Sequence, residues 1–90
     1  MVNRVFMTGK VEAMPRVVYT PKGDRFVLFP LRVGEGDFLI DVECPGDPAM
    51  PHPDAARGRS VMVSGMLVRK KLRSREMVQL KAHKIFWMEE

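Results

Sequence analysis

The apolar residues of this chain recur with a period of two, and no window sustains the 3.6-residue period of an amphipathic helix, which confines the fold to strands. In residues 4 to 12, Val5, Met7, Gly9 and Val11 fall on one side and Arg4, Phe6, Thr8, Lys10 and Glu12 on the other, the pattern of a half-buried strand. Met14-Pro15 interrupts it, and Thr20-Pro21-Lys22-Gly23-Asp24 has the residues of a turn: proline presets φ, and glycine accepts a positive one, so a hairpin is expected around residues 20 to 24.

The return strand, residues 25 to 33, puts Val27, Phe29, Leu31 and Val33 on one face and Phe26, Leu28, Pro30 and Arg32 on the other. Pro30 cannot donate to a ladder, so an edge or a bulge is expected there. Gly34 to Asp37 turns into a third strand in which Phe38, Ile40, Val42 and Cys44 alternate with Leu39, Asp41 and Glu43. Phe38 reads as core, and the two acids on the other face sit badly against phosphate. Pro45, Pro48, Pro51 and Pro53 make the stretch to Gly58 resist strand and helix alike, except for one turn over Asp54 to Arg57 with Asp54 as cap.

A fourth strand is expected over residues 59 to 68, with Val61, Val63 and Leu67 inward and a bend at Gly65. A fifth runs from Met77 to Met88, where Val78, Leu80 and Ala82 share a face and Ile85 resumes the pattern after a bulge. Gln79, Lys81 and His83 then face outward. Five short strands, with the one long connection between the third and fourth, fit an all-β, partly open five-stranded OB-fold barrel without a long helix, in a single domain over residues 1 to 90.

Ninety residues bury only about 60 to 65% of the surface of the unfolded chain, so association is an expected source of stability. Cys44 is the sole cysteine, which excludes an intrachain disulfide and fits a reducing cytoplasm. Neither a signal peptide nor a membrane-length apolar run is present. The net charge is +4, but its distribution says more: five of fifteen basic residues, Arg69, Lys70, Lys71, Arg73 and Arg75, fall within seven positions.

Several stretches resemble the bacterial single-stranded DNA-binding protein family and its compact relative, primosomal replication protein B. They are Asn3-Arg4-Val5, Thr8-Gly9-Lys10-Val11, Tyr19-Thr20-Pro21-Lys22-Gly23, Phe29-Pro30-Leu31, Gly58 to Gly65 and Met77 to Ile85. The short Gly34 to Asp37 turn, the Pro-rich segment, Leu72 where the family usually has tryptophan, and an end at Glu90 make the primosomal form the better likeness. The resemblance implies a homodimer that binds single-stranded DNA through basic residues between strands four and five, in replication, replication restart or repair alongside primosome proteins.

Such binding needs cations that track phosphates and flat side chains on which bases stack. The candidates are Arg69, Lys70, Lys71, Arg73 and Arg75, with Lys81, Arg32 and Phe26 beside them. Phe26 reads either as a stacking platform or as a dimer contact, and Trp87 as packing at a barrel end or a subunit contact. Arg4, Phe6 and Thr8, on the mixed outer face of strand one, are the expected dimer interface. His52 and His83 lack neighbours at metal spacing and the serines lack a nucleophile-elbow setting, so neither an enzyme nor a cofactor is expected. Two other readings stay open: an OB-fold adaptor with little DNA binding, suggested by Asp41, Glu43, the few aromatics and eight methionines, and a binder of RNA.

Overall fold

Val27, Phe29, Leu31 and Val33, alternate residues of one strand, are all buried, and around them a short sheet closes on itself. The computed structural model describes residues 1–46 and 53–88; the side chains of Pro53, Asp54 and Leu72 lie outside that description, as does His52. In chain order the elements are β1 (Val5–Val11), β2 (Arg16–Tyr19), β3 (Arg25–Val33), β4 (Phe38–Pro45), the single turn α1 (Pro53–Ala56), β5 (Ser60–Leu72) and β6 (Arg75–Trp87).

β1 runs antiparallel to β5, β5 to β6 and β3 to β4, while β4 and β6 pair in parallel. The ring closes where Lys10 and Val11 of β1 pair with Arg32 and Leu31 of β3, and the Glu12 amide donates to the Pro30 carbonyl at 2.9 Å. This ring-bonded sheet is the expected OB architecture. The hairpin expected around residues 20 to 24 forms: Arg16 to Tyr19, not counted as a strand of its own among the five, pairs with Arg25 to Leu28 of β3, so β1 and β2 are successive segments along one edge of β3. Pro15 ends the first segment, and Val17, Val18 and Tyr19 have the branched and aromatic side chains that suit the second.

The interior is filled by Phe29, Leu31, Leu80, Val11, Val27, Val42, Val61 and Val63, each under 2% exposed. Trp87 packs against this core as a barrel-end residue, with the Arg59 guanidinium 5.9 Å from its ring centroid. Two glycines allow the closure. A Cβ at Gly9 would strike the Arg32 carbonyl where β1 meets β3, and one at Gly65 would strike the Lys81 carbonyl and the Ala82 backbone. Gly65 also marks the register shift between β5 and β6: Ser64 pairs with Lys84 and Gly65 with Ala82, which leaves His83 as the bulged residue.

Three placements differ from the alternation. Phe38 is 41% exposed rather than core, because it opens β4 directly after the Gly34 to Asp37 turn, at the barrel rim. Val78 is 58% exposed because the β5–β6 hairpin has already left the barrel at that level, opposite Arg69. Gln79, expected on an open face, is buried.

Replacing Gly65 with alanine sets a methyl group against backbone on a neighbouring strand, where no side chain can yield. Overpacking of this kind costs about 1–3 kcal/mol. Denaturant unfolding of Gly65→Ala is expected to show that loss, and unchanged stability would contradict the close approach.

Candidate nucleic-acid interface

The basic run does not form a loop. β5 continues to Leu72 and β6 starts at Arg75, so the link is the two residues Arg73 and Ser74, and Arg69, Lys70 and Lys71 sit in strand register opposite Val78, Met77 and Glu76. Long cationic side chains satisfy a strand ladder through their backbones as well as any others, and their charges keep the protruding hairpin solvated. At the hairpin's base Asn3 acts as a strand in miniature: its amide nitrogen donates to the Leu67 carbonyl at 2.7 Å, and its oxygen accepts from the Leu67 amide at 3.1 Å.

Along the hairpin the cations are not equivalent. Arg69 lies 3.9 Å from Glu76, a distant and exposed pair. The Lys70 ammonium reaches Glu43 on β4 at 3.4 Å and stands 5.9 Å from the Phe26 ring centroid on β3, so the hairpin leans over the outer faces of both strands. Lys71, Arg73 and Arg75 are exposed and have no ion pair among the described residues. Arg73 holds a φ of 55°, a left-handed conformation that glycine adopts with less strain. Lys81 is half-buried, level with Glu43 and Met66.

Phe26 is half-buried on the outer face of β3, and β2 widens that face by setting Val18 opposite Phe26 and Arg16 opposite Leu28. Arg16 is exposed there, and Tyr19, at 65% exposure, is an open aromatic at the strand's end. Neither is among the sequence candidates, since the stretch between the break at Met14-Pro15 and the hairpin turn is not counted as a strand; the alternation of Arg16 and Val18 against Val17 and Tyr19 is the available signal.

Arg32 is engaged elsewhere. Its guanidinium donates to both Glu12 oxygens, at 2.9 and 3.3 Å, and lies 3.5 Å from Asp37. These contacts fix it at the β1–β3 junction and offset its charge, unlike the open phosphate contact expected of it. It borders a groove of about 750 Å³ lined in part by Phe6, Thr8, Lys10 and Phe38. β1 pairs with β5 from Val5 to Lys10 but with β3 only at Lys10 and Val11, so the far edge of Val5 to Gly9 carries no strand among the described residues. Arg4, Phe6 and Thr8 are exposed beside it, Phe6 at 69%.

Among the described residues no three of His, Cys, Asp and Glu gather to hold a metal ion, and no helix is long and apolar enough to cross a membrane. His83 is exposed, and the Cys44 thiol is buried, which pushes its pKa up.

This geometry is that of an OB-fold protein with a basic hairpin. No family model and no curated protein matches the sequence. Solved structures do. The single-stranded DNA-binding protein from Thermus aquaticus superposes with a TM-score of 0.80 at 22% identity, over 99% of this chain and 41% of that one. A deletion variant of it gives 0.82 at 26% identity, over 99% and 42%. A dimeric structure of the N-terminal domain of PriB from Thermoanaerobacter tencongensis gives 0.76 at 20% identity and covers 98% of both chains. The chain therefore spans about two-fifths of the Thermus proteins and nearly all of the PriB domain, and its fold is the one that the sequence resemblance implied.

The hydrogen bond and charge of Arg32 hold the Glu12 carboxyl below the usual glutamate range. A lowered carboxyl pKa means that the contact is complete above the ordinary glutamate pKa and is lost as pH falls through Glu12's own. A carboxyl-detected NMR titration is expected to show Glu12 titrating below a reference glutamate and returning to it in Arg32→Ala; an ordinary value in the parent protein would contradict the pair.

Proposed function

We propose that this chain binds single-stranded DNA with little dependence on sequence, through the β5–β6 hairpin and the outer face of β2, β3 and β4, and that it acts in replication, replication restart or repair. The observation that carries the reading is the set Lys71, Arg73 and Arg75, exposed at the end of a two-residue hairpin and unpaired among the described residues. Arginine forks and lysine point charges there follow phosphates, while Phe26 offers a ring face to bases. The T. aquaticus neighbours are single-stranded DNA-binding proteins, which supports the same role here. Arg73 adds a second line of support: a strained backbone retained at an exposed tip fits a site kept for binding rather than for stability.

The open edge of β1, with Arg4, Phe6 and Thr8, supports a homodimer in which two copies pair their first strands; a light-scattering mass of twice the 10.3 kDa chain is the expected value. Primosome proteins are the proposed partners, in a cytoplasmic setting.

A fluorescent oligonucleotide of about 30 nucleotides, several OB site sizes, is expected to bind saturably at low salt. Neutralising three to five phosphates at about −0.7 per contact lowers affinity roughly ten- to hundredfold between about 50 and 200 mM salt. Replacing Lys71, Arg73 and Arg75 together by alanine is expected to weaken binding severalfold with little change in melting temperature. Arg73→Gly alone is expected to keep or raise the melting temperature while weakening binding. Full affinity in the triple variant removes the hairpin from the mechanism, and no binding by the parent protein favours the adaptor reading.

A further inference from the structure

One row across the outer face has no use in phosphate binding. Pro30 pairs with Asp41, Asp41 with Gln79 and Gln79 with Val68, so the four side chains stand side by side on β3, β4, β6 and β5. They point outward, since Val42 and Leu80, the next residues of β4 and β6, point into the core. Asp41 is half-buried and engages no hydrogen bond or ion pair among the described residues. Gln79 is only 6% exposed, yet its Oε1 accepts no hydrogen bond among the described residues. A buried acceptor without a donor is costly and rare in folded proteins.

Lys70 explains the cover. By register it is level with Met77, whereas its partner Glu43 is level with Lys81, four residues further along β6, with Gln79 midway between. The Lys70 side chain that reaches Glu43 therefore crosses the row holding Gln79.

We infer that Asp41 and Gln79 form a base-reading notch that accepts hydrogen bonds from the edge of an unpaired base, guanine in first place, and so gives one position of the bound strand a base preference. This rests on the single-strand binding proposed above. The notch offers acceptors, so phosphate oxygens are repelled from it. Of the four bases, guanine alone sets two adjacent donors, N1–H and the N2 amine, on its Watson–Crick edge. Adenine and cytosine offer one amine each, and thymine flanks its single N–H with two carbonyls that oppose the acceptors. Pro30 and Val68, both half-buried, border the pair and limit its access to water, which strengthens a hydrogen bond formed there. A phosphate that draws Lys70 away from Glu43 uncovers the notch and the Phe26 ring together, so backbone capture precedes base reading.

The test titrates the protein with thymidine oligonucleotides, with the same oligonucleotides carrying isolated guanines, and with those guanines replaced by hypoxanthine, which keeps N1–H and lacks the N2 amine. Guanine is expected to tighten binding about fivefold or more over thymine, the low end of discrimination by a two-point base contact. Hypoxanthine is expected to lose most of that gain. Asp41→Asn and Gln79→Met are expected to abolish the preference, the ratio of guanine to thymine affinity falling to about one. Equal affinity for guanine and thymine in the parent protein, or a preference unchanged in Asp41→Asn, overturns the notch while leaving single-strand binding in place. Absence of binding to every oligonucleotide overturns the underlying reading as well.

Discussion

Closure of a short sheet depends on two backbone approaches that only glycine permits. At Gly9 β1 comes against the carbonyl of Arg32, and at Gly65 β5 comes against Lys81 and Ala82 of β6. Without the first the ring stays open at β1 and β3; without the second the β5–β6 ladder keeps one register and lacks the bulge at His83. Closure leaves few bare edges, which matters in a 90-residue chain with a small core. Among the described residues, the far side of β1 from Val5 to Gly9, that of β2 and the outer sides of the β5–β6 hairpin beyond the barrel carry no further strand. The first is where a second copy is proposed to pair.

The hairpin leaves the barrel two residues beyond that bulge, past Leu67 and its partner Leu80. Up to Leu67, held by Asn3, β5 belongs to the barrel; beyond it the strands carry charge. The extended half leans on the barrel through Lys70, which touches Glu43 and Phe26. An exposed pair of this kind contributes little to stability, about 0–1 kcal/mol at most. A contact that weak yields readily to a phosphate, and this weakness suits the backbone-binding role proposed for the hairpin.

How far the sequence foretold this follows from what each pattern measures. Period-two alternation reports which side of a strand meets the core, so Val27 to Val33 and Val61 to Val63 were legible, and the bend at Gly65 and the bulge before Ile85 showed as breaks in the pattern. The pairing of β2 was implied by the hairpin turn, but its faces were not legible because four residues between a proline and a turn are too few to display a period. The hairpin strands were hidden because charge imitates a loop; nothing local to Arg69, Lys70 and Lys71 says that their backbones pair. Arg32 looked open because its partners Glu12 and Asp37 are brought to it by different elements. Gln79 looked outward, as it is, but its cover comes from a lysine nine residues before it whose reach depends on the pairing of three strands.

The central claim is one of place: an unpaired strand lies along the hairpin and the outer face beside it. Backbone amide shifts recorded during titration with a short oligonucleotide test this most directly. The account predicts that the largest changes fall on residues 69 to 77 together with Phe26, Asp41, Glu43, Gln79 and Lys81, while Met7, Gly9 and Gly34 to Phe38 stay still. Changes confined to the groove between β1 and the Gly34 to Asp37 turn, with the hairpin silent, would contradict it.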